Sequence, residues 1–256
     1  FSRSTSDLNW MLTTSYDVLA DTMIYARAAT GSKSGGFNTV NGSPEQREFD
    51  DESTNSYELG VKSTMLDARL RINAAAFYTE IDDYQYQQQL DIGIGTFVSN
   101  LPTVETSGLD MDIQAQPLPF LTLTGGVLYM HKYEITDGPQ KGDKLPFTAE
   151  YNATASATLV LPLAGGWSYF RADYSYMDDH LTSDSANPED RDYQSTSLVN
   201  AKLGWRNDEW NVSVWGKNLS DNKYAGLTAA TFPITTMDAY FLTAPRTYGL
   251  TLRYDF

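Results

Sequence analysis

The chain has 256 residues with 33 acidic and 18 basic side chains, a net charge of -15, and no cysteine. That balance argues against nucleic acid or an anionic surface as a partner, and the missing thiols exclude disulfides and thiolate metal sites. No stretch approaches the ~20 apolar residues of a membrane helix, which leaves strand-built membrane proteins open, because their strands dilute apolar residues with polar ones.

The chain begins at Phe1 with no signal peptide and is read as processed or truncated. No sustained 3.6-residue apolar stripe occurs. Period-2 alternation recurs instead, which places apolar and polar residues on opposite faces of strands. About eleven strands are expected, near 8–16, 22–30, 54–65, 69–81, 97–116, 120–133, 149–161, 167–177, 194–206, 210–218 and 245–256. Leu109, Met111, Ile113 and Ala115 oppose Asp110, Asp112 and Gln114. Phe170, Ala172, Tyr174 and Tyr176 oppose Arg171, Asp173 and Ser175. Val199, Ala201, Leu203 and Trp205 oppose Asn200, Lys202 and Arg206, and the chain closes on the alternating "TYGLTLRYDF". Runs of about ten residues suit a tilted membrane-spanning strand, whereas soluble strands are nearer five or six.

The connections carry a second signal. Short ones ("DVLAD", "LDA", "PLP", "PLAGG", "RNDE") alternate with long ones at 31–53, 82–96, 134–148, 178–193 and 219–244. All short turns then lie at one end and all long loops at the other, the layout of an outer-membrane barrel. The fold class expected is therefore all-β, an antiparallel up-and-down transmembrane barrel. Eleven strands cannot close with antiparallel pairing throughout, and no sheet edge survives in lipid. Half of a larger barrel is the simpler reading.

Five stretches in order resemble the TonB-dependent outer-membrane receptors: "ATGSKSGGFN" (29–38), "NSYELGVKSTMLDARLRINAAAFYTEIDDYQ" (55–85), "VETSGLDMDIQAQPLPFLTLTGGVLY" (104–129), "VWGKNLSDNKY" (214–224) and "APRTYGLTLRYDF" (244–256). The resemblance implies a 22-stranded barrel filled by a plug domain with a TonB-docking box. Residues 1–256 would be the C-terminal portion of that barrel, with residue 1 in or near an external loop. A longer chain, a cleavage product and a split protein would all present this half. The implied partners are the remaining half-barrel and plug on the same or a separate chain, TonB, the barrel assembly machinery and outer-membrane lipid. The implied activity is import of a scarce ligand, a ferric siderophore or similar complex. The alternative is a passive channel or structural barrel completed by a partner chain. Tyr248, Leu250, Leu252, Tyr254 and Phe256 resemble the family's final-strand assembly signal.

Site residues follow from these faces. Glu58, Lys62, Arg71, Asp110, Asp112, Arg171, Asp173, Lys202, Arg206 and Arg253 are expected on the lumen wall, facing the plug or solvent. Aromatics of the external loops and upper wall, Phe37, Tyr84, Tyr86, Phe97, Phe232 and Tyr240, are the ligand-contact candidates. Tyr129, Tyr133, Tyr174, Tyr176 and Trp205 are expected outward, in an interfacial girdle. Loop 178–192 is acidic, and Asp178, Asp179, Asp184 and Asp190 are the oxygen ligands a calcium ion would take. The spacing matches no calcium loop, and a solvated surface loop is the favoured reading. No other cofactor is indicated. Catalysis finds little support: His131 shares the outward parity of Tyr129, His180 sits in the acidic loop, and no serine stands out as a nucleophile. Gly35 and Gly36 precede no helix and form no phosphate loop.

Overall fold

The computed structural model describes residues 3–39, 47–89, 96–182, 193–230 and 238–256. Its strands are β1 (Met11–Leu19), β2 (Thr22–Lys33), β3 (Gly36–Phe37), β4 (Glu48–Phe49), β5 (Glu52–Met65), β6 (Leu70–Gln89), β7 (Thr96–Leu118) and β8 (Leu121–Ile135). There follow β9 (Tyr151–Leu163), β10 (Gly166–Leu181), β11 (Tyr193–Arg206), β12 (Trp210–Lys217), β13 (Ala225–Ala230), β14 (Asp238–Leu242) and β15 (Thr247–Tyr254). No helix occurs among the described residues.

Eleven of these strands form one antiparallel sheet in the order β1-β2-β5-β6-β7-β8-β9-β10-β11-β12-β15. The two remaining pairs, β3-β4 and β13-β14, are small hairpins inside long connections. Each sheet strand pairs with its neighbour in sequence, as an up-and-down barrel wall requires. β1 and β15 pair on one side only, so the sheet is open.

Register separates two faces. One row runs Lys62, Asn73, Asp112, Gly126, Thr154, Ser175 across β5 to β10. The row on the opposite face runs Leu59, Ala76, Leu109, Tyr129, Tyr151. The second face carries no covering layer: Leu59 is 63% exposed, Leu203 54% and Leu250 69%. A water-soluble sheet would bury such a face against a core. Here the pattern suits lipid as the solvent. Aromatic rings bound this apolar band. At the loop end, Tyr57 and Tyr78 stand 6.5 Å apart and Tyr129 stacks on Tyr151 at 4.9 Å. At the turn end, Trp210 packs on Tyr254 at 4.6 Å and Phe256 meets Tyr254 edge-on at 5.0 Å. From Leu121 to Tyr129 the strand runs ~26 Å at ~3.3 Å per residue, or ~20 Å of height at a tilt near 40°, the scale of the band in such barrels.

The expected strand positions hold with small shifts of boundary, and one connection differs. The stretch 82–96, expected as a long loop, is mostly strand, because β6 continues to Gln89 and β7 starts at Thr96. Beyond the aromatic ring neither face meets lipid: Tyr84 and Tyr86 pack on a loop-end cluster and Gln85 binds a neighbouring loop, so no apolar alternation marks the extension.

The packed core is small and lies at the loop end. Leu101, Val104 and Ile135 are buried together, with Ile81, Tyr84, Tyr86 and Leu145 against them.

Candidate functional site

Two local breaks in alternation build the surface at the loop end. The first is in the β6–β7 pair. Asp83 adopts a φ of 53°, in the left-handed region that costs a non-glycine residue. It lies opposite Pro102, which has no N–H to donate, and the ladder passes from Asp82 and Thr103 directly to Tyr84 and Leu101. Tyr84, Tyr86 and Leu101 thereby join the same cluster as Ile81 and Val104. The second break is a bulge in β8. Gly108 pairs Met130 while Ser107 pairs Lys132, so His131 is the extra residue. Every later residue of β8 changes face.

The bulge corrects one expectation. Tyr133 pairs Thr106 on the inner face and is 5% exposed, not an outward girdle residue. Its hydroxyl accepts a hydrogen bond from Lys144 Nζ at 2.9 Å. That bond, more than burial opposes it, holds the Lys144 ammonium above its ordinary pKa. Residues 142–145 fold back along β8 through Gly142 N–H to Ile135 O and Leu145 N–H to Tyr133 O, and Phe147 N–H reaches Leu181 O. Tyr129, Tyr174, Tyr176 and Trp205 keep the outward register expected of them.

Side-chain amides fix a second loop onto the same surface. Gln85, at 9% exposure, donates from Nε2 to the carbonyls of Lys33, Ser34 and Asp50 at 3.0–3.2 Å. Asn100 donates to the Asp50 and Asp83 carbonyls, and Asn38 exchanges two bonds of 2.8 Å with the Val98 backbone. Asp51 anchors the turn entry: Gly35 N–H donates to it at 2.5 Å and Arg3 pairs with it at 3.2 Å. The Gly35 N–H, with help from Arg3, holds the Asp51 carboxyl below its ordinary value of 3.8. A depressed carboxylate pKa favours the folded contact above the unfolded value, and the contact is lost as pH falls through the folded one. Protection of the Gly35 amide from hydrogen exchange is therefore expected to persist at pH 5 and to fall below about pH 3.8. In Asp51→Asn, protection should be weaker and flat across that window. A wild-type amide whose protection does not change with pH would refute the anchor.

Of the ligand-contact candidates, Tyr84 and Tyr86 come together, their rings stacked at 6.5 Å and half-buried against the core cluster. Burial, then the Glu52 charge, raises the Tyr84 phenol pKa, so Tyr84 stays neutral. Phe37 sits half-buried on β3 opposite Glu48, and Phe97 is half-buried on β7 opposite Gln88. Tyr240 pairs Thr228 in the β13–β14 hairpin. Phe232 lies outside the described residues. A polar cavity of about 220 Å³ adjoins the second break, lined by Tyr133, Lys144, Glu150, Asp179 and His180 among others. His180 is 8% exposed and its Nδ1 bonds the Asp178 carbonyl. A carbonyl only accepts, so Nδ1 is the donor in this bond.

The calcium candidates are divided. Asp178 accepts from Tyr176 Oη at 2.8 Å, while Asp184 and Asp190 lie outside the described residues. No cluster of three metal-binding side chains occurs among the described residues.

All ten wall candidates share the inner face by register. Glu58 accepts from Tyr25 Oη at 2.6 Å, and Asn73 donates to Asp112 at 2.8 Å. Arg171 pairs with Asp173 at 2.6 Å and Arg253 with Asp255 at 2.7 Å. Lys62 lies over the Tyr25 ring and Lys202 over the Tyr169 ring. On β15, Tyr248, Leu250, Leu252 and Tyr254 face outward, each at least 41% exposed, with Phe256 one step beyond the strand. Sequence reasoning missed Gln85, Asn100 and Asn38, because an amide in a polar stretch carries no mark of what it will bind. It also missed the β8 bulge, for which "GLDMD" facing "YMHKY" gives no turn residue on the bulged strand.

Comparison with known proteins places this architecture. A family model described as TonB dependent receptor-like, beta-barrel matches residues 1–219. The pesticin receptor of Yersinia enterocolitica is 26% identical over 219 residues, covering 83% of this chain and 31% of that protein. The ferric-pyoverdine 358 receptor of Pseudomonas putida is 26% identical over 254 residues, covering 94% of this chain and 28% of that protein. The chain thus spans about a third of the curated relatives it matches. In structure, the ferric yersiniabactin uptake receptor FyuA from Yersinia pestis superposes with a TM-score of 0.81 at 24% identity, over 96% of this chain and 37% of that one.

Proposed function

Because the chain belongs to the TonB-dependent receptor β-barrel family, we propose that residues 1–256 form the C-terminal portion of a receptor barrel that imports a ferric siderophore. Barrels of this family reside in the bacterial outer membrane, and the family is one of transporters rather than enzymes. The single observation that carries the reading is the two-faced wall, apolar outside and hydrogen-bonded inside, topped by built loops with a stacked tyrosine pair. Two relatives support the ligand class: one takes up ferric yersiniabactin and another is a ferric-pyoverdine receptor. The plug, the rest of the barrel and TonB are the partners this function needs, with the barrel assembly machinery delivering the chain and outer-membrane lipid surrounding it. A calcium ion in the acidic loop would take the carboxylates of Asp178 and Asp179.

The test is uptake of radioactive ferric siderophores by cells carrying the complete receptor, with and without TonB. Import is expected to drop to background without TonB. Equal uptake in both strains would replace this reading with the passive-channel alternative. In the same receptor, Tyr84→Ala with Tyr86→Ala is expected to weaken siderophore binding about tenfold, the scale of one aromatic contact surface. Unchanged affinity would remove the tyrosine pair from the site.

A further inference from the structure

Two β-bulges point polar side chains into one cavity. In β8 the extra residue His131 turns Tyr133 from the outer side to the inner side. β10 carries a bulge of the same kind. Met177 pairs Thr196 while His180 pairs Gln194, so two residues of β10 stand opposite one of β11. Unbroken alternation would face His180 outward, and the bulge turns it inward, to the side of Met177. Bulges recur where a side chain has to be re-aimed. Both re-aimed side chains, Tyr133 and His180, line the same polar cavity of about 220 Å³.

The walls of the cavity are fixed. Phe147 N–H bonds the Leu181 carbonyl and Met130 N–H bonds the Glu150 carbonyl, which clamps residues 144–150 between β8 and β10. To fit there, Phe147 adopts a φ of 57°, in the left-handed region that a bulky residue avoids. Tyr133 holds Lys144 through its hydroxyl at 2.9 Å and through its ring, whose centroid lies 4.9 Å from Nζ. Yet the polar groups inside do not satisfy one another. Lys144 has no carboxylate partner among the described residues, and two of its N–H donors remain after Tyr133. The carboxylates of Glu150 and Asp179 accept no hydrogen bond from the described residues. His180 is 8% exposed, and with Nδ1 on the Asp178 carbonyl its Nε2 is left to the cavity, without a partner among the described residues. A buried polar atom without a partner is costly, whether it would donate or accept.

The chemistry of the lining selects an occupant. An anion would meet Glu150 and Asp179, and a cation would meet Lys144. No three metal-binding side chains converge among the described residues. An apolar group would leave every one of these groups unpaired. A hydroxyl both donates and accepts, so a neutral group bearing several hydroxyls satisfies both signs at once. The cavity has the volume of about seven waters at ~30 Å³ each, below the ~300–1,000 Å³ of sites for drug-sized ligands. It therefore suits one ring and not a whole chelate. We propose that this cavity binds a neutral polyhydroxylated ring, a sugar or cyclitol, either free in solution or carried on a lipid headgroup. The proposal is independent of the siderophore reading and adds a second class of ligand at a second place.

Saturation-transfer NMR on the complete receptor tests it, in a sugar-free detergent with EDTA present. The probes are D-glucose, D-galactose and myo-inositol. At least one is expected to bind saturably in the millimolar range and to slow hydrogen exchange of the Phe147 amide. The double variant Glu150→Gln, Asp179→Asn should weaken that binding about tenfold, with barrel resistance to heat as in wild type. Phospholipid nanodiscs with and without a galactosyl glycolipid separate the two sources. A lipid-borne ring would fill the cavity and suppress the signal of the free sugar, whereas equal signals mean a free solute, and either result upholds the site. Wild-type receptor that binds none of the three probes would overturn the proposal. So would binding that needs added calcium, since the carboxylates would then serve the ion. Competition by the ferric siderophore would overturn it as well, by returning the cavity to the import site. A receptor that binds the sugar and imports no siderophore would refute the import reading alone.

Discussion

Deleting Phe256 is expected to lower the amount of assembled receptor in the outer membrane about tenfold or more, with chain synthesis unchanged. Phe256 has no core to enter: it is fully exposed, and among the described residues its ring contact is edge-on to Tyr254, which itself packs on Trp210. Its apolar surface is therefore available to whatever covers the end of the last strand, lipid or the assembly machinery. Covering a phenyl ring completely is worth about 1.5–3 kcal/mol, and ~1.4 kcal/mol is a factor of ten. β15 is also an open edge that has one partner, β12, so a lag in its delivery leaves unpaired N–H and C=O groups where water is absent. Quantifying folded receptor by its unheated mobility in membrane fractions gives the answer. Phe256→Tyr should restore most of the yield, since the ring is kept. A deletion that assembles like wild type would show that the terminal ring plays no part in assembly.

The second large effect belongs to Gly108. A Cβ there would fall on the backbone carbonyl oxygen of Tyr129, with the Phe77 ring at 3.1 Å beside it. A flexible side chain could swing aside, but a ladder carbonyl cannot. Gly108→Val is expected to cost about 1–3 kcal/mol or more as overpacking. For chains of this size that lowers the temperature of barrel unfolding by roughly 2–4 °C per kcal/mol. The bulge is the reason for the close approach, so the variant should also release residues 136–150. Protease cleavage in that loop should rise as Lys144 loses Tyr133. Gly125→Ala is the control, for its Cβ would meet only the Ile113 Cγ2 at 3.3 Å and a carbonyl at 3.6 Å. Equal melting of the two variants would mean that the bulge is not what Gly108 secures.

Legibility of the fold in the sequence tracked the solvent. Where one face of a strand meets lipid, the alternation is enforced residue by residue, and "LDMDIQA" could be placed on β7 with its faces correct. Parity alone also sets the ten wall candidates on one face of the sheet. Above the aromatic ring neither face meets lipid, and Tyr84–Gln89 read as loop although it is strand. Parity then became a liability. Carried past His131 it sent Tyr133 outward, whereas one extra residue in the ladder turns it inward onto Lys144. The same holds for Tyr84 and Tyr86, whose approach to Val104 depends on Asp83 adopting φ 53° opposite Pro102. A single residue's dihedral leaves no periodic trace. The short hairpins β3–β4 and β13–β14 were hidden for a related reason, since a few residues of strand are shorter than any pattern that could announce them.

The extended β6–β7 hairpin has a consequence for how the surface of the cell is met. From Tyr78 at the aromatic ring to Gln89 the strand covers about 36 Å at ~3.3 Å per residue, or ~28 Å of height at a tilt near 40°. Gln85 and Asn100 brace that height by tying the neighbouring loop to it. The hairpin is then a mast rather than a tether. It lifts Gln89 and Thr96 clear of the outer leaflet, so a bulky solute arriving from the medium touches protein first and lipid afterwards. The same elevation brings that end of the sheet within reach of an antibody.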